Sequence, residues 1–148
     1  GLNRLHQFDK VEIVQVVHPN ESYNVLNDMV EHVKELVRKL KLPFRILKLC
    51  GGDLGLTSAL TFDFEVYSTA QQRWLEVSSV SNFETYQSNR LKLRFRNGQE
   101  KPQLAHTLNG SALALPRIMA ALIENNQNEN GDISIPEVLQ KYTGFNII

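Results

Sequence analysis

Six apolar residues set the tightest constraint on how this chain can fold. Tyr23, Leu26, Val30, Val33, Val37 and Leu40 recur at alternating spacings of three and four. That period places side chains on one face of an α-helix. The spacing predicts a helix over 21–41, capped by Asn20 or Ser22 and ended by Pro43. Lys34, Arg38, Lys39 and Lys41 crowd its C-terminal half, where the helix dipole favours cations. The pattern spans fewer than three heptads, so the stripe is expected to lie on a core rather than form a long coiled-coil seam.

Around that helix the chain reads mostly as strands. Runs rich in β-branched and aromatic residues lie at 8–17 (FDKVEIVQVV), 44–49 (FRILKL), 61–68 (TFDFEVYS), 73–80 (RWLEVSSV) and 103–108 (QLAHTL). Residues 69–72 are short enough to close a hairpin between the third and fourth runs. Further helices are expected over 82–93 and 112–126, with Asn109-Gly110-Ser111 leading into the latter. Ile133 and Ile135 form a short strand, and a terminal helix starts at Pro136 and ends at Gly144. Strands joined by short turns, with one long helical crossover, predict an α+β domain: an antiparallel β-sheet with flanking helices on one side.

Composition narrows the function classes. At 148 residues the chain is about one domain long and can bury a real core. Lys+Arg and Asp+Glu balance at 16 each, which argues against a small DNA-binding module. The apolar runs are far too short to span a bilayer, so no membrane association is expected. Cys50 is the single cysteine, excluding an internal disulfide and a multi-cysteine zinc site; it reads as a small core residue. Gly51-Gly52-Asp53-Leu54-Gly55 lacks the following Gly-Lys-Ser/Thr of a phosphate-cradling P-loop. His6, His18, His32 and His106 stand in no metal-ligand spacing, and His18 and His32 read as surface residues. Tyr67 and Trp74 read as packing residues of the hairpin. An intracellular, cytoplasmic protein is the natural expectation.

Chemistry is expected where polar residues interrupt apolar strands. Glu12 sits in VEIV, Asp63 and Glu65 in TFDFEV, and Glu76, Ser78 and Ser79 in WLEVSSV. An ionised carboxylate left unpaired inside a sheet costs several kcal/mol. Such residues therefore mark either a polar, ligand-lined floor on one sheet face or the solvent faces of amphipathic strands, and the second reading is the better one for Asp63 and Glu65. The alternating run Arg90, Lys92, Arg94, Arg96 offers either phosphate contacts or a solvated face, the latter being favoured.

Two segments add a resemblance. GLNRLHQFDKVE (1–12) and HTLNGSALALPRIMAALIEN (106–125), with EVSSVSNF (76–83) between them, resemble the C-terminal part of the catalytic domain of the seryl-tRNA synthetases, a family of class II aminoacyl-tRNA synthetases. CGGDLG, TFDFEVY and the closing PEVLQKYTGF extend the likeness over the whole chain. RLHQFDKVE resembles the second half of motif 2, and LNGSALALPR with its following helix resembles motif 3. The resemblance implies a class II synthetase catalytic core and an ATP-dependent attachment of serine to tRNA(Ser) through seryl-adenylate.

By the same resemblance, Phe8 stacks on adenine, and Arg4 and His6 flank the nucleotide, Arg4 near the phosphates. Glu12 binds the serine ammonium or hydroxyl. Glu76 and Ser79 hold Mg²⁺ on the ATP phosphates, and Val77 and Ser78 line the nucleotide. Asn109 and Ser111 close the serine pocket, and Arg117 contacts the γ-phosphate. Arg4, Glu76 and Arg117 are the expected catalytic residues, with ATP and Mg²⁺ as cofactors and L-serine and tRNA(Ser) as partners.

Residues 1–148 are expected to be the C-terminal portion of that catalytic domain, starting within motif 2. Motif 1, which builds the homodimer of the full-length enzyme, and the N-terminal coiled-coil arm that contacts tRNA lie outside them, so the piece alone is expected to be inactive. Leu60 stands where many relatives carry Lys, and Val80 where Cys is common. Two other readings remain open here: a synthetase-like paralogue that loads a carrier protein, and a non-catalytic module that binds a nucleotide or partner.

Overall fold

A five-stranded antiparallel sheet organises the molecule, in the order β1-β7-β4-β3-β2. The computed structural model describes residues 4–148; Gly1, Leu2 and Asn3, where the motif 2 resemblance begins, lie outside the described residues. The strands are β1 (Lys10–Val17), β2 (Phe44–Lys48), β3 (Leu60–Ser68), β4 (Arg73–Asn82) and β7 (His106–Ala114). Two short strands, β5 (Arg94–Phe95) and β6 (Gln103–Leu104), pair separately as a small hairpin.

Helix α1 (Ser22–Lys39) follows a 3-10 turn at Pro19–Glu21 and packs on β4 and β7. Its buried stripe is Ser22, Leu26, Met29, Val33 and Val37. The stripe is turned slightly from the one the spacing predicts, because Tyr23 is 44% exposed and donates its hydroxyl to Glu84 at 2.7 Å. Leu26, Val33 and Val37 are fully buried, each contributing about 1.5–3 kcal/mol by leaving water. They meet Phe64 and Val66 of β3, Val77 and Val80 of β4, and Leu108 of β7 in one core. Helix α3 (Leu115–Asn126) adds Ile118 and Ala121 to the same core. A polar trio seats the start of α1: buried Asn82 donates from Nδ2 to buried Ser22 Oγ at 3.1 Å, and half-buried His106 Nδ1 lies 2.8 Å from that oxygen.

Several elements differ from expectation for identifiable reasons. β7 runs straight through Asn109-Gly110-Ser111, and α3 starts only at Leu115. Turn-prone residues stay extended there because β1 and β4 bond the strand from both sides. The second helix, α2 (Tyr86–Leu91), is short because Asn82 ends β4 with its side chain buried against α1. It touches the opposite sheet face, since its Gln87 accepts from Thr107 and Asn109. Ile133 forms an isolated bridge with Gln127 rather than a strand, before the terminal α4 (Glu137–Thr143). Cys50 is exposed, not in the core. His18 and His32 are exposed as expected, and Tyr67 meets Trp74 edge-on at 5.3 Å. Among the described residues no helix is long and apolar enough to cross a membrane.

At Gly110, β7 lies too close to β4 to leave room for a side chain. A Cβ built on it would lie 2.9 Å from the Val80 Cα and 3.0 Å from the Ser79 carbonyl oxygen. Backbone atoms cannot rotate away as a side chain can. Gly110→Ala should therefore lower stability by about 1–3 kcal/mol, read as a shifted denaturation midpoint with an unchanged m-value.

Candidate active site

The register of the sheet sorts the polar strand residues onto one face. Opposite the α1 and α3 side, Glu12 pairs with Ser111, Ser81 with Asn109, Asp63 with Ser79, and Glu65 with Glu76. Glu76 and Ser79 are three apart, which on a regular strand would place them on opposite faces. The register shifts between Phe64 and Glu65, so that β4 gains one residue over β3 at Val77. This bulge brings Glu76 and Ser79 to the same face. The polar face is thus a continuous floor across β1, β7, β4 and β3.

At the Lys10 end of this floor lies a cavity of about 220 Å³. Arg4, Phe8, Glu76, Ser111 and Arg117 all line it, and so does Lys10. Phe8 leads into β1 and is 51% exposed, an apolar side chain lining the same cavity as two arginines. Arg117 sits in the first turn of α3 and donates from Nη1 to the Glu76 carbonyl oxygen at 2.6 Å. That contact ties α3 to β4. The cavity therefore abuts a helix N-terminus and carries cationic side chains, a setting that suits an anion.

Glu76 titrates above its ordinary range. Desolvation by the protein around it is the largest cause, although the residue is reached by solvent. Asp63 and Glu65 push in the same direction, while Arg117 and Arg4 oppose them. Asp63 is also raised, chiefly by desolvation, with a hydrogen bond from Ser79 working against it. Its Oδ1 is buried without a hydrogen-bond partner. Asp63 is thus no solvated-face residue. Glu65 is largely covered too: its side chain is 18% exposed and accepts from Arg45 Nε at 2.5 Å.

Other expected residues fall beside or behind the cavity. Glu12 accepts from Ser111 Oγ at 3.3 Å and pairs with Lys10 Nζ at 2.9 Å. Asn109 is held by Gln87, to which its Nδ2 donates at 3.1 Å. Ser79 stands on the floor next to Asp63. The structure does not bring His6, which is exposed, into the cavity lining. Val77 and Ser78 are each 1% exposed, so their side chains do not reach it. Ser78 instead donates to the Ser111 carbonyl oxygen beneath the floor. Three residues escaped the sequence reading. Lys10 was detectable as a cation two residues before Glu12. Asp63 stands out in TFDFEV, but strand alternation alone favours a solvent face for it. Gln87 gave no signal, since only the fold brings α2 to β7.

This floor, with a cationic cavity at a helix N-terminus, is that of a class II tRNA synthetase core. Residues 1–126 match the family model of the tRNA synthetase class II core domain (G, H, P, S and T), and the chain belongs to that family. Among its relatives, the serine–tRNA ligase of Salinibacter ruber is 58% identical over 146 residues, and that of Finegoldia magna 51% over 148. These alignments cover 98% and 100% of this chain but 34% and 35% of the relatives. The chain thus spans about a third of their length. The crystal structure of seryl-tRNA synthetase from Pyrococcus horikoshii complexed with ATP superposes with a TM-score of 0.97 at 42% identity, over 100% of this chain and 33% of that one. A cytoplasmic serine–tRNA ligase from Naegleria fowleri in complex with AMP gives 0.91 at 31%, over 100% and 35%.

The raised carboxylates give a pH test. A carboxyl whose folded pKa exceeds its unfolded value stabilises the fold below the unfolded value and loses that contribution as pH rises through the folded one. Asp63→Asn removes the ionisation and keeps the size. The variant should gain stability over the parent as pH rises from the ordinary Asp value of 3.8, and the difference should vanish below it. Melting curves across that range check the sign.

Proposed function

We propose that this chain supplies the ATP- and serine-binding part of a serine–tRNA ligase. The observation that carries the reading is the convergence of Arg4, Phe8, Glu76, Ser111 and Arg117 on one cavity, in a chain of the class II synthetase family. The names of the relatives, serine–tRNA ligases at 51–58% identity, favour it over carrier-protein loading or a non-catalytic module. L-serine, ATP and tRNA(Ser) are then the substrates, and the full-length enzyme is expected to be a cytoplasmic homodimer with this chain as the C-terminal portion of its catalytic domain.

The reaction runs in two steps. A serine carboxylate oxygen attacks the α-phosphorus of ATP, and the bond to the departing pyrophosphate breaks, leaving seryl-adenylate. The terminal hydroxyl of tRNA then attacks the seryl carbonyl carbon, and AMP leaves. Neither step needs a protein nucleophile. The chain's contribution is to position the reactants and to neutralise charge. Phe8 offers its exposed ring to adenine. Arg4 and Arg117, both on the cavity lining, supply positive charge to the phosphates. Glu12 and Ser111, already hydrogen-bonded together, present a carboxylate and a hydroxyl to the ammonium and hydroxyl of serine. Alanine would leave such polar groups unsatisfied, and that loss discriminates between the two.

Mg²⁺ fits the same floor. Glu76 and Ser79 are hard oxygen donors, and the crowding of Glu76 by Asp63 and Glu65 is a charge excess that a cation relieves. Among the described residues no group of three or more His, Cys, Asp or Glu makes a self-sufficient metal site. Mg²⁺ usually takes one or two carboxylates and draws its other ligands from phosphates and water. Glu76 and Ser79 would hold it, and when bound it neutralises phosphate charge.

A full-length protein carrying this chain should catalyse serine-dependent ATP–pyrophosphate exchange; exchange with alanine or glycine but not serine contradicts the assignment. In that protein Arg117→Ala should lower the exchange rate by about 10²–10³. Glu12→Gln should chiefly raise the KM for serine while sparing that for ATP.

A further inference from the structure

The alternating run from Arg90 to Arg96 takes no part in the cavity. Two of its three apolar alternates, Leu93 and Phe95, are half-buried, while Leu91 is exposed, as are Arg90, Lys92, Arg94 and Arg96. Phe95 meets His18 edge-on with ring centroids 4.9 Å apart. Arg94 and Phe95 are also fixed by pairing with Leu104 and Gln103. The docked apolar residues thus hold the cations outward on a seated hairpin.

The charge there is lopsided and uncompensated. Residues 90–101 carry five Lys/Arg against one acid, Glu100, in a chain of zero net charge. Elsewhere Lys10, Lys34, Arg38 and Arg45 pair with Glu12, Glu31, Glu35 and Glu65. Among the described residues none of Arg90, Lys92, Arg94, Arg96 and Lys101 forms an ion pair with a carboxylate. Arg90 instead lies over the Tyr86 ring, 3.5 Å from its centroid, and Arg94 donates to the Lys92 carbonyl. Both contacts leave the positive charge unneutralised.

The hairpin meets His18, just beyond β1, whereas the cavity lies at the Lys10 end of that strand. The seven residue steps of β1 span roughly 23 Å at about 3.3 Å each. We propose that the β5–β6 hairpin and the end of α2 form an RNA-backbone contact surface, gripping phosphates of a tRNA whose 3′ end reaches the cavity. The identity of the RNA rests on the serine–tRNA ligase reading above.

The test uses a full-length protein carrying this chain with Lys92→Gln, Arg94→Gln and Arg96→Gln combined. Its Kd for a tRNA(Ser) transcript is measured between about 50 and 200 mM salt, beside serine-dependent ATP–pyrophosphate exchange. Binding should weaken about tenfold at the lower salt, and the log–log salt slope should shrink by about 2 to 3, at roughly 0.7–0.9 per lost phosphate contact. Exchange should be unchanged, and Lys48→Gln on β2 should alter neither reading. An unchanged Kd and slope in the triple variant overturns the proposal. So does a joint loss of binding, exchange and melting temperature, which would mark the run as structural. If the parent lacks serine-dependent exchange, the ligase reading fails, while comparison of parent and triple variant for RNA binding still decides the surface.

Discussion

The site depends on how closely β4 and β7 can meet. They share only three register pairs, Val80 with Gly110, Ser81 with Asn109 and Asn82 with Leu108. Beyond the Val80–Gly110 pair the Ser78 hydroxyl reaches the Ser111 carbonyl, so the strands stay joined where the backbone ladder has ended. Glu76 and Ser79 come from one side of this seam. Asn109 and Ser111 come from the other, and Glu12 is carried in by β1 on the far edge of β7. With no side chain at 110, the seam closes, and carboxylates more than sixty residues apart in sequence share one floor.

That floor concentrates opposite charges. Glu76, Asp63 and Glu65 crowd one another, while Arg4, Lys10 and Arg117 stand around the cavity. Two of these charges are met within the chain, Lys10 by Glu12 and Glu65 by Arg45. The raised carboxyls and the unpartnered Asp63 oxygen are features that cluster at ligand-binding sites. The fold supports this polarity from behind, where α1 and α3 bury an apolar core against the other face of the same strands.

Much of this was legible in the sequence. The three-four spacing gave α1, and the polar interruptions in the strands located the floor. What local pattern could not show was anything set by a neighbouring strand. Asn109-Gly110-Ser111 has turn chemistry, yet β1 and β4 bond it from both sides and keep it extended. Glu76 and Ser79 share a face only because of the bulge at Val77, which a period of two cannot encode. Cys50 looked like core by residue type, but its loop leaves it exposed. The motif resemblance supplied roles that periodicity alone did not contain. The structure gathers five of those residues on the cavity and turns the side chains of Val77 and Ser78 away from it.

The central claim is that the cavity at the Lys10 end of the floor holds the nucleotide with serine beside Glu12. A crystal structure of a full-length protein carrying this chain, bound to a non-hydrolysable seryl-adenylate analogue, tests it most directly. The account predicts adenine against Phe8, phosphate between Arg4 and Arg117, and the seryl amine next to Glu12. Analogue bound instead in the apolar groove between α1, α3 and α4, lined by Leu40, Met119 and Leu139, would contradict it.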